Sequence, residues 1–74
     1  MKRYTDELPP YDTSDMEELI RQKVHNKRAR AILTARLCDE LTYSEISRLP
    51  EVDRTERQVG YVLSKWIPRI AKYL

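Results

Sequence analysis

Apolar side chains recur along this chain at intervals of three and four residues, the spacing of helices that bury one face. Met16, Leu19, Ile20 and Val24 form the first such run, bordered by the stem of Lys23. Ala29, Ile32, Leu33 and Leu37 form the second, which Ala35 and Cys38 widen. Val59, Val62, Leu63, Trp66, Ile67 and Ile70 form the third and fullest stripe. No segment alternates apolar and polar residues as a strand would. The pattern predicts an all-α fold, a compact bundle of about four helices around one small core.

Helix starts are marked by capping residues. Ser14 with Glu17 fits a capping box, with Asp15 and Glu18 a weaker match one residue later, so a first helix is expected over about 15–25. Asn26 is the expected N-cap of a second helix over about 27–40. One continuous helix over 15–40 is the alternative. Thr42 and Glu45 make a capping box for a third helix, with Leu41 and Ile46 as its hydrophobic staple. That helix ends before Pro50, which pushes Leu49 out of the helical region. Thr55 and Gln58 make a further box for a fourth helix. Pro68 is expected to kink or restart that helix, leaving a last turn or two through Arg69–Tyr73. Residues 1–13, with Pro9-Pro10 and few aliphatic side chains, read as a flexible arm on which Tyr4, Leu8 and Tyr11 are the docking candidates.

Charge sharpens this picture. Lys2 and Arg3 face six acidic residues within 1–18, whereas residues 19–74 hold twelve Lys or Arg against six acids. An acidic front therefore precedes a basic body, and a basic small domain suggests an anionic partner such as nucleic acid. A merely solvated charged surface fits the charge equally well. Competition between the acidic front, residues 6–18, and DNA for the basic surface is a further expectation. Cys38 is the single cysteine, which rules out an internal disulfide and reads as a small packing residue in a reducing cytoplasm. No metal-ligand spacing, activated nucleophile or glycine-rich phosphate loop is present, so neither an enzyme nor a bound cofactor or metal is expected. No stretch is apolar enough to span a membrane.

Two short capped helices in close succession, the second basic and amphipathic, form a helix-turn-helix pattern over about 42–67. In such a pair the first helix braces the second, which projects side chains into a major groove ~12 Å wide. Ile46 and Val59 are expected to meet in the angle between the helices, with Ser47 allowing close approach and Val52 plugging the corner. This leaves Arg57, Gln58, Tyr61, Ser64 and Lys65 on or near the outer side of the fourth helix. Arg57 suits guanine and Gln58 adenine, while Arg54, Thr55 and Lys65 suit phosphate. Trp66 and Tyr43 read as packing residues, and Tyr61 is open between packing and contact. Lys27, Arg28 and Arg30 fit either phosphate contact or a solvated face. Gly60 inside a helix implies close approach of DNA or of another helix.

The stretch ARAILTARLCDELTYSEIS resembles region 4 of the sigma-70 family of bacterial transcription factors, and the related response-regulator and phage modules. The family motif Leu-Thr/Ser-Tyr-x-Glu-Ile-Ala appears as Leu41-Thr42-Tyr43-Ser44-Glu45-Ile46-Ser47, with Ser47 in place of Ala. The family's second helix, Ser-x-x-Thr-Val-x-x-x-Leu, corresponds to Thr55-Glu56-Arg57-Gln58-Val59-Gly60-Tyr61-Val62-Leu63. The resemblance covers about residues 28–67. It departs at the turn, where Leu49-Pro50-Glu51-Val52-Asp53-Arg54 replaces Leu-Gly-Ile/Val and lengthens the connection. No segment resembles the sigma region that binds the polymerase core and melts the promoter. The resemblance implies a module that binds double-stranded DNA in transcription control, of a kind common in phages and mobile elements. The competing expectation is an interaction module that binds RNA polymerase or another protein without touching DNA. One small helix-turn-helix offers limited contact area, so a homodimer or larger partner is expected, with WIPRIAKYL as a mobile dimer surface.

Overall fold

The computed structural model describes residues 8–74. Four helices occupy them: α1 Thr13–Lys23, α2 Lys27–Leu37, α3 Tyr43–Ser47 and α4 Glu56–Ala71. The fold is all-α, and among the described residues no strand occurs. The chain breaks between α1 and α2 rather than continuing as one helix. Val24 is fully buried there in an extended conformation, and the Asn26 side chain accepts from the Ala29 amide at 2.9 Å.

The core is drawn from every element. Met16 and Ile20 of α1, Ile32 and Leu33 of α2, Ile46 of α3, and Val59, Leu63, Ile67 and Ile70 of α4 are all buried. Fully burying side chains of this size contributes roughly 1.5–3 kcal/mol each, which is how so short a chain offsets its chain entropy. The corner between α3 and α4 is closed as expected: Ile46, Val52 and Val59 each have no exposed surface. No helix among the described residues is long and apolar enough to cross a membrane.

Four sequence expectations change. The first helix starts at Thr13, because Asp12 rather than Ser14 is its N-cap. The Asp12 carboxylate accepts from the Ser14 amide at 2.8 Å, which satisfies a free donor two residues earlier. The second helix stops at Leu37 rather than 40. There the chain turns through Glu40 at φ 55, with the Leu41 amide bonded to the Ala35 carbonyl at 3.0 Å. α4 runs without a restart through Pro68 to Ala71. Pro68 is exposed, so its ring displaces no core contact, and buried Ile67 and Ile70 hold the last turns on the body.

The arm is the fourth. Its described part is docked: Leu8 is buried and the Tyr11 hydroxyl donates to the Leu37 carbonyl at 2.8 Å. Burial, then the nearby Cys38 and Glu40, raise the Tyr11 pKa, so this donor keeps its proton. Tyr4 lies outside the described residues.

The described part of the acidic front is also fixed in place. Asp12, Asp15, Glu17 and Glu18 belong to α1 and its cap, at the end where Cys38 Sγ donates to the Thr13 carbonyl at 3.8 Å. The Cys38 thiol pKa is raised, by burial first and then by Glu17 and Asp39. Asp6 and Glu7, the other acids of the front, lie outside the described residues.

Two of the three expected capping boxes form, those of Thr42 with Glu45 and of Thr55 with Gln58, while the Ser14–Glu17 box gives way to the Asp12 cap. The Thr42 amide donates to Glu45 Oε1 at 2.8 Å and the Glu45 amide to Thr42 Oγ1 at 3.1 Å. The bond from the Thr42 amide, then that from the Thr42 side chain, hold the Glu45 pKa below the ordinary 4.5. A depressed carboxylate pKa stabilises the fold fully above the unfolded value, and this contribution disappears as pH falls through the folded value. Gln can fill the same box, as Gln58 does in α4. Glu45→Gln should therefore fold, but with a shallower loss of stability below about pH 4.5 in chemical denaturation. Parallel pH profiles for the two proteins would contradict this account of the cap.

Candidate nucleic-acid interface

The position of α4 is set by what holds the turn before it. Residues 48–55 link α3 to α4 without a glycine. Asp53 takes the left-handed conformation at φ 46, the role a turn glycine plays in shorter connections, and Asp tolerates it better than most residues. The Val52 and Asp53 amides both donate to the Leu49 carbonyl, at 3.0 and 3.1 Å. From α2, Arg28 Nε donates to the Val52 carbonyl at 2.8 Å. The lengthened turn is thus hydrogen-bonded internally and pinned from a third helix.

Gly60 has a packing reason. A Cβ placed there would lie 3.3 Å from the Tyr43 ring of α3, so the close approach is by a neighbouring helix. The other expected packing residue, Trp66, is half-buried with the Arg69 guanidinium 5.1 Å from its ring centre.

The seven expected contact residues fall into two groups. Arg57, Tyr61, Ser64 and Lys65 are exposed and share the outer stripe of α4 by their three- and four-residue spacing. Tyr61 is 70% exposed, which settles its place on the surface rather than in the core. Arg54 is half-buried beside them, with Nη1 bonded to the Asp53 carbonyl at 2.9 Å. Thr55 and Gln58, by contrast, are occupied with each other. The Thr55 amide donates to Gln58 Oε1 at 3.1 Å, and the Gln58 amide to Thr55 Oγ1 at 3.2 Å. Bidentate reading of adenine by Gln58 needs that same oxygen. Both residues therefore act here as the cap of α4.

Among the described residues, the ion pairs are those of Arg21 with Glu17 and Glu18 on α1, so none occupies the cations of α4. Glu56 is exposed, but its spacing places it on the flank of Gly60, toward α3 and away from Lys65.

No family model fits the chain, and no curated protein or solved structure gives a significant match.

The arginines of α2 are the functional surprise. Arg30 Nε and Nη2 donate to the Val24 carbonyl at 3.1 and 2.8 Å, and Nη2 also to Arg21 at 3.2 Å. Arg36 Nη1 donates to the Leu41 carbonyl at 2.9 Å, with its guanidinium 5.3 Å from the Tyr43 ring centre. Together with Arg28, they tie down the chain after α1, before α3 and before α4. Sequence spacing carries no sign of these partners, because each is a backbone carbonyl.

Gly60→Val would force its branched carbons into the Tyr43 ring. It should lower stability by about 1–3 kcal/mol in denaturant unfolding, as overpacking does. Unchanged stability would show that α3 and α4 are not held at this close approach.

Proposed function

We propose that this chain binds double-stranded DNA through the outer face of α4 and acts in transcription control as a helix-turn-helix module. The observation that carries this reading is the stripe Arg57, Tyr61, Ser64 and Lys65, exposed on a helix whose inner side is buried. Arg54 lies beside it, and Glu56 stands on the flank. The Ile46–Val52–Val59 corner holds that helix at one angle to α3. Such a helix suits a major groove, with Arg57 toward base edges and Arg54 and Lys65 toward phosphate. Thr55 and Gln58 contribute by holding the helix start rigid. The resemblance to region 4 of the sigma-70 family over residues 28–67 supports the same assignment and favours a regulator of the phage or mobile-element kind.

A protein-docking role has one specific observation in its favour. A groove of about 510 Å³ lies along another face of α2, lined by Ala31, Ala35, Leu41 and Leu49 together with Lys27, Arg30, Asp39 and Glu51. RNA polymerase or another regulatory protein is the partner class for it. The exposed apolar residues do not join into one patch with α4, however. Tyr61 and Tyr73 are twelve positions apart, roughly 18 Å along a helix. A second copy of the chain fits better at Tyr73 and Leu74, beyond the DNA-facing stripe. Tyr73 is held there by the Lys23 ammonium, 4.6 Å from its ring centre.

Fluorescence anisotropy of a labelled random-sequence duplex, repeated across salt concentrations, tests the reading. Binding should weaken steeply with salt and fall at least tenfold in the Arg57→Ala, Lys65→Ala double variant, since each charged contact contributes about 1 kcal/mol or more. Absence of binding at low salt by the folded wild-type chain would overturn it in favour of the docking role.

A further inference from the structure

A cleft of about 260 Å³ opens where the start of α2 meets the outer side of α4. Asn26 and Arg28 line it from α2, Arg54 from the turn, and Tyr61, Lys65 and Trp66 from α4. Three cations thus converge from three separate segments, and no carboxylate is among the lining residues. Like charges gathered without an acid between them repel one another unless an anion joins them.

The cations are also pre-positioned. Arg28 is anchored through Nε to the Val52 carbonyl, so its remaining guanidinium N–H groups stay available on a side chain already immobilised. Arg54 is anchored in the same way through Nη1 to the Asp53 carbonyl. Lys65 is exposed on the far wall, and Trp66 is half-buried at its side.

We infer that this cleft seats one phosphodiester of a DNA strand, gripped by Arg28, Arg54 and Lys65, with the adjoining sugar against Trp66. The inference rests on the DNA-binding reading and extends it to α2, which the outer stripe of α4 does not include. A planar guanidinium fork suits phosphate oxygens, and the volume admits a phosphate with its sugar. The seat lies beside Tyr61 and Lys65, so a strand held there runs along the edge of the helix that enters the groove.

Trp66 is the single tryptophan, so its emission reports the cleft alone. The full chain would be titrated with a random-sequence duplex while anisotropy and Trp66 emission are followed together. Emission should change with the same midpoint as anisotropy. Arg28→Gln and Lys65→Gln should each reduce the slope of log affinity against log salt by about 0.9, the loss of one phosphate contact. Circular dichroism checks the fold of Arg28→Gln, which also loses its bond to Val52; if that variant unfolds, the Trp66 emission midpoint carries the test, since Lys65→Gln lowers the slope on the outer-face reading as well. Arg57→Gln should weaken binding yet leave the emission change at saturation intact.

Binding seen by anisotropy with unmoved Trp66 emission would overturn the seat while leaving the DNA reading standing. So would an unchanged salt slope in a folded Arg28→Gln variant. Inorganic phosphate alone saturating the emission change, with no further response to DNA, would assign the cleft to a free anion instead. No anisotropy response from the wild-type chain would remove both readings.

Discussion

Everything in this fold depends on one helix supplying hydrogen-bond donors to the turns around it. Arg28, Arg30 and Arg36 project from α2 onto the carbonyls of Val52, Val24 and Leu41. Turns packed against a core place backbone carbonyls where water is scarce, and such groups need partners. A charge-assisted bond to each contributes roughly 1.5–3 kcal/mol, a large share of the stability available to so small a domain. The arrangement has a cost: Arg36 Nε is buried without an acceptor among the described residues, although the same guanidinium lies over Tyr43. α2 is thus both the middle of the core and the brace for the connections that aim α3 and α4.

That brace changes how the charge of the chain is read. Counting Lys and Arg in the body suggests a broad basic surface, yet three of those arginines are engaged in holding the fold together. The cations that remain on α4 are fewer and more localised. The case for an anionic partner therefore rests on a defined stripe and an adjoining cleft rather than on net charge.

Much of the architecture was legible in the sequence because helix ends are local chemistry. Asn26, Thr42 and Thr55 cap as their side chains and spacing imply, and the apolar stripes name the buried faces correctly. The start of α1 was misplaced because Asp12 and Ser14 are both competent caps, and local sequence does not rank two neighbours of similar strength. The run through Pro68 was missed because tertiary packing of Ile67 and Ile70 outweighs a local helix-breaking preference. In the candidate site, spacing identified the exposed stripe of α4. It could not show that Asp53 replaces a turn glycine or that Arg28 reaches the turn. Those facts depend on residues far apart in sequence or on backbone atoms that carry no sequence identity.

The central claim is that α4, aimed by α2 and α3, presents the surface that meets DNA. Backbone amide spectra of the isotope-labelled full chain, recorded by NMR during titration with a short duplex, locate that surface directly. The account predicts that shifts concentrate at residues 54–65 and around Asn26–Ala29, with little change along α1. Shifts centred instead on Ala31, Ala35, Leu41 and Leu49 would contradict it, because they would place the contact on another face of α2.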